Sequence, residues 1–109
     1  MKNHLKKAPW TVYILRNENN ALYTGITTDI KRRLNEHTSK SLKGAKFTRS
    51  CKMLDLVYHC EIGDRGPALT VEAKIKRLKK DKKELIVQTR LKKTELYEFL
   101  SLPYKKGPS

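Results

Sequence analysis

The sequence predicts a single mixed α/β domain of the α+β kind, with three strands and several helices. Three observations carry this. Two β-like runs, 10–16 and 21–26, flank a stretch with the composition of a turn. A third alternating run covers 53–61, and helical periodicity fills much of the rest. A chain of 109 residues suits one compact domain, and no internal repeat or linker divides it.

In the first run Trp10, Val12 and Ile14 alternate with Thr11, Tyr13 and Leu15. Asn17-Glu18-Asn19-Asn20 separates it from the second run, so the pair reads as a β-hairpin. The register expected has a three-residue loop at 17–19, with Asn19 in the left-handed conformation it tolerates. Arg16 then faces Asn20, and Tyr13 faces Tyr23 directly. A four-residue loop would send the two tyrosines to opposite faces.

A helix follows, capped by Thr28 or Asp29 and ending near Thr38. Ile30, Arg33, Leu34 and His37 share one face of it. Residues 38–51 carry Lys40, Lys43, Lys46 and Arg49 without an acid and read as a mobile basic loop. In the third strand Leu54, Leu56, Tyr58 and Cys60 are expected on one face. Gly63 to Pro67 then breaks the chain. Asp64 is placed to cap a helix that accepts Pro67 in its first turn. The apolar side of that helix is Ala68, Leu69, Val71, Ala73, Ile75 and Leu78, with Glu72 in its middle. Leu85-Ile86-Val87 suggests a further short helix. A last one spans Thr94 to Leu100, burying Leu96, Phe99 and Leu100, before a loose tail from Pro103.

Charge narrows the partners. Lys and Arg number 25 against 11 Asp and Glu, a formal net charge of +14. Such a surface attracts polyanions. No run approaches the roughly 18 apolar residues of a membrane span, and the basic N-terminus lacks the apolar centre of a signal peptide. Nucleic acid is the leading partner, against a plain solubility surface. Cys51 and Cys60 make no C-x-x-C pair, so reduced cysteines in a cytosolic protein are expected rather than a zinc site with His59.

Three placements break local rules. Glu72 sits in an apolar helix face, where a carboxylate needs a counter-charge or a metal. Arg33 and His37 lie on an inward stripe, and Tyr13 and Tyr23 lie in strands. Each has an ordinary explanation: an ion pair to a nearby lysine, snorkelling to water, β packing. Together they supply what phosphodiester cleavage needs, namely a base for water, a cation for phosphate oxygens and a carboxylate for a hard ion.

The run Thr11-Val12-Tyr13, the ten-residue step to Tyr23-Thr24-Gly25 and ten more to Arg33 resemble the GIY-YIG nuclease superfamily. Tyr-Thr-Gly-Ile-Thr-Thr-Asp with Arg32-Arg33, Gly44-Ala45-Lys46 with Thr48-Arg49, and Gly63-Asp64-Arg65 leading to Glu72 look like its small single-domain bacterial UPF0213/YhbQ-like group. The resemblance covers roughly residues 10–90. It implies an endonuclease-like fold, a three-stranded antiparallel sheet flanked by helices. A basic, flexible 1–9 would precede the domain, and a short helix and tail at 91–109 would follow it. It also implies site roles. One of the two tyrosines would be the general base, and Tyr13 is favoured over Tyr23, its phenol lowered in pKa by cations or metal. Tyr23 would position water or phosphate, Arg33 would clamp the scissile phosphate, His37 would relay a proton, and Glu72 would hold Mg²⁺ or Mn²⁺.

There are departures. The first motif lacks the family glycine and isoleucine, Thr24 replaces isoleucine, Ile26 stands where repair-type members have lysine, and no asparagine follows Asn35. The expected function is a cytoplasmic, metal-dependent nuclease acting on DNA rather than RNA, on nicked or branched forms. Lys43, Lys46, Arg49, Lys76, Lys79 and Lys80 would bind nucleic acid. Oligomeric state stays open, with a monomer favoured, and so does any part in DNA repair. The alternatives are a nucleic-acid-binding domain with weak or no catalysis and a basic RNA-associated protein that shares the fold. The second of these would need exposed aromatic platforms, and the chain has only two Phe and one Trp.

Overall fold

The computed structural model describes residues 8–38 and 53–104. Its order is β1 (Trp10–Asn17), β2 (Leu22–Thr27), α1 (Ile30–Thr38), β3 (Leu54–Gly63), α2 (Arg65–Arg77), α3 (Lys80–Thr89) and α4 (Lys93–Phe99). The three strands form one antiparallel sheet in the order β2-β1-β3, with β1 central. The α+β architecture is the expected one.

The hairpin register is shifted from expectation. The Asn17 amide donates to the Ala21 carbonyl and the Asn20 amide to the Asn17 carbonyl, both at 3.0 Å. The loop is therefore 18–20, and Asn20 rather than Asn19 is left-handed, with φ 68°. The cause is the side chain of Asn17, whose Oδ1 accepts from the amides of Asn19 and Ala21 at 2.9 Å each. Asn17 thus closes the loop instead of sitting inside it. Tyr13 pairs with Gly25 and Tyr23 with Leu15. The loop keeps its length and moves by one residue on each side, so both tyrosines still share a face.

That face carries Thr11, Tyr13 and Leu15 and is covered by α1. The opposite face carries Val12 and Ile14, which join Tyr58, Cys60 and Ile62 of β3 and Ala68, Val71, Ile75, Ile86, Leu96 and Leu100 of the other helices in one apolar core. The third strand does not alternate throughout as expected. Ile14 faces Tyr58 but Leu15 faces Leu56, so Val57 is an extra residue and Leu56 falls out of step with Tyr58.

Asp29 is the cap of α1, its Oδ1 accepting from the Arg32 amide at 3.0 Å. Asp64 precedes α2 in extended conformation but makes no side-chain capping bond, so it caps by position only. Gly63 has φ +128°, a conformation that favours glycine and turns the chain from β3 into α2. The apolar side of α2 is narrower than expected. Ala68, Val71 and Ile75 are buried, whereas Leu69 and Ala73 are exposed. In α4, Leu96 and Tyr97 are buried and Phe99 only partly so. A bidentate ion pair from Arg16 to Glu84, at 2.7 and 2.8 Å, ties β1 to α3. Among the described residues no helix is long and apolar enough to cross a membrane.

Candidate active site

Helix α1 brings its residues to the tyrosine face of the sheet. Tyr13 is 1% exposed and His37 fully buried. The Tyr13 hydroxyl lies 3.2 Å from His37 Nε2, and Arg33 Nε donates to the same oxygen at 3.3 Å. The phenol donates to Nε2 when that nitrogen is the unprotonated one of a neutral imidazole and accepts from it in the other tautomer. Burial and the Arg33 charge hold His37 down at about 4, which agrees with a neutral ring.

Tyr23 stands beside this pair, its ring centroid 6.5 Å from that of Tyr13 and 5.6 Å from that of His37. Arg33 is held from its other end by Glu36, at 2.9 Å to Nη1. Burial works against the Arg33 charge, but the bonds to Tyr13 and Glu36 outweigh it and leave the group more basic than usual. Glu36 was not singled out in the sequence. Its signal was the i,i+3 spacing from Arg33, ordinary on any helix.

Without a metal, the Tyr13 phenol is raised rather than lowered in pKa: burial dominates over the Arg33 hydrogen bond, and the charges of Tyr23 and Glu72 push the same way as burial, so the cations of the fold alone do not supply the expected lowering. Gly25 is named in the sequence only as part of the second tyrosine motif, and its role in the site comes from packing. A Cβ there would lie 2.5 Å from the Tyr13 hydroxyl. Its φ is not positive, so the requirement is close approach and not backbone freedom. The ring of Tyr13 lies over the gap that glycine leaves.

Glu72 comes from α2. Its side chain is 17% exposed and pairs with Lys76 Nζ at 3.2 Å. Its charge reaches Tyr13. Tyr13 thus meets Arg33, His37 and Tyr23, the Tyr23 ring also meets His37, and Glu72 is within electrostatic reach of Tyr13. Of the expected nucleic-acid contacts, Lys43, Lys46 and Arg49 lie outside the described residues. Lys79 is exposed at the start of α3. Lys80 is engaged within the fold, with Glu84 at 3.8 Å and with the carbonyl of Asn20.

Cys60 is a buried free thiol on the core face. Among the described residues no group of three His, Cys, Asp or Glu side chains could enclose a metal. A single carboxylate, 17% exposed, fits a hard divalent ion of the magnesium type. Such ions often take one or two carboxylates and complete their shell with water and substrate phosphates.

The family model of the GIY-YIG catalytic domain matches residues 9–85. The chain belongs to the GIY-YIG family. A UPF0213 protein of Pectobacterium carotovorum is 51% identical over 88 residues, covering 81% of this chain and 87% of the relative. One from Yersinia enterocolitica is 50% identical over 78 residues, covering 72% and 78%. The solution NMR structure of a UPF0213 protein from Bacillus halodurans superposes with a TM-score of 0.50 at 35% identity, covering 86% of this chain and 98% of that one. The GIY-YIG match spans both tyrosine strands, α1 and the helix that carries Glu72.

Proposed function

We propose that this GIY-YIG domain is a metal-dependent nuclease that hydrolyses phosphodiester bonds in DNA. The observation that carries the reading is the placement of one buried hydroxyl, Tyr13, between Arg33 Nε and His37 Nε2. A phenol raised in pKa is a poor base alone. Coupled to a neutral imidazole it can act: Tyr13 accepts a proton from the attacking water while its own proton passes to His37. The hydroxide attacks phosphorus, the P–O bond to the leaving oxygen breaks, and that oxygen takes a proton from solvent. Arg33 holds the phosphate, and Tyr23 positions the water or a phosphate oxygen. Glu72 holds Mg²⁺ or Mn²⁺, which when bound supplies positive charge for the phosphate oxygens. Lys43, Lys46, Arg49 and Lys79 are assigned to the DNA backbone, consistent with the charge of +14.

The near-complete burial of Tyr13 favours a second reading, a nucleic-acid-binding domain with little catalysis. Plasmid nicking in Mg²⁺ or Mn²⁺ separates the two. Wild type should nick, and Tyr13→Phe and Glu72→Ala should abolish nicking while DNA affinity persists. Equal cleavage by the variants would overturn the catalytic reading, and DNA binding without cleavage by wild type would establish the second.

A further inference from the structure

The ion pair between Glu72 and Lys76 joins two groups of unequal freedom. The Glu72 side chain is 17% exposed, whereas Lys76 is 52% exposed. A carboxylate with so little solvent requires a counter-charge, and Lys76 supplies it at 3.2 Å. A divalent ion bound to the same carboxylate takes over that neutralising role. Ion and ammonium then stand as like charges at one oxygen pair, and the ammonium has to leave. Lys76 can do so. It sits one turn along the helix from Glu72, its stem is long, and half of it already faces water. In a chain charged +14 the strongest attraction open to a released ammonium is a bound polyanion.

We propose that Lys76 is a transferable counter-ion: it neutralises Glu72 in the empty site, is displaced by the metal, and then binds a substrate phosphate. This rests on the reading of Glu72 as the metal-holding residue. It makes metal and DNA binding mutually reinforcing, because the ion releases a cation for the substrate and the substrate draws that cation from the ion's ligand.

Mn²⁺ binding to the free protein, followed by electron paramagnetic resonance, tests the first half. Lys76→Gln keeps a good helix former at an exposed position. It should bind Mn²⁺ about two- to fivefold more tightly than wild type, the range expected for a half-exposed ion pair. Lys76→Arg should return the affinity toward wild type, and Glu72→Gln should lose the binding. The second half is read from the salt dependence of binding to a nicked duplex, with Tyr13→Phe in both proteins to hold back cleavage. In Mn²⁺ the Lys76→Gln slope of log K against log salt should be shallower by about one, with no difference in EDTA. If Glu72→Gln binds Mn²⁺ as wild type does, the assignment of the metal to Glu72 fails and this inference with it. If Glu72→Gln abolishes binding but Lys76→Gln leaves it unchanged or weaker, only the counter-ion role is overturned. Equal slopes in Mn²⁺ overturn the transfer to phosphate.

Discussion

Both faces of the sheet hold fully buried side chains, but of different chemistry. On one, Val12 and Ile14 meet Val71, Ile75, Ile86 and Leu96, all fully buried hydrocarbon. On the other, Tyr13 and His37 are as deeply buried but meet through a phenol, an imidazole and a guanidinium. The first arrangement stabilises by removing apolar surface from water. The second removes polar groups from water and recovers only part of that cost through hydrogen bonds. The same central strand serves both, because alternate residues of β1 point to opposite sides. Stability should therefore reside mainly on the helix-packed face and chemistry on the α1 face.

Two substitutions can break that division. Ile75→Ala should cost about 2–5 kcal/mol of stability through lost burial and a residual cavity. Nicking per folded molecule should stay near wild type. Tyr13→Phe removes one oxygen and leaves His37 Nε2 and Arg33 Nε without that partner, so it should cost about 1–3 kcal/mol of stability, while nicking falls by roughly 100-fold or more, the usual worth of general acid–base catalysis. Denaturant unfolding beside nicking assays measures both. Comparable losses in both readouts for both variants would show that the faces are not separable.

Gly25→Ala sharpens the comparison at a position between backbone and site. The new Cβ would sit 2.5 Å from the Tyr13 hydroxyl, so the ring must shift. Overpacking of this kind costs about 1–3 kcal/mol, and moving a reacting group by about 1 Å can cost roughly 100-fold in rate. Nicking should therefore fall further than stability does. A crystal structure should show the Tyr13 oxygen displaced from His37 Nε2.

The helix-packed face was legible in the sequence because burial writes itself as periodicity. Val71 and Ile75 recur at helical spacing, and Val12 and Ile14 alternate. The overestimates there, Leu69 and Ala73, arose because a stripe of apolar residues does not say how wide its partner surface is. The α1 face was legible only as a set of anomalies. Arg33 and His37 on an inward stripe pointed to it, and the spacing of Tyr13 and Tyr23 placed both on one side of the hairpin. Parity survived a wrong turn assignment because the loop kept three residues while Asn17 moved from inside it to its closing position. The role of Gly25 and the direction of the Tyr13 shift were hidden for a different reason. Both depend on how close the ring lies to the neighbouring strand and how completely α1 covers it, and neither distance is encoded in residue type.

A last effect separates the faces by pH. His37 is held at about 4 in the folded chain against 6.5 for an ordinary histidine, because burial and Arg33 disfavour its charge. Above pH 6.5 the ring is neutral in both folded and unfolded chains and contributes no pH dependence. As pH falls from 6.5 toward 4, the unfolded chain gains a proton that the folded chain refuses, so stability declines across that window. The slope from this one group is at most about 1.4 kcal/mol per pH unit. His37→Gln carries no such proton. It should therefore lose less stability than wild type between pH 6.5 and 4, whatever its stability at neutral pH. Parallel curves from urea unfolding across that range would mean that His37 is already solvated or charged in the folded protein. The neutral acceptor for the Tyr13 proton would then be lost, and the α1 face would be an ordinary polar surface rather than a buried proton relay.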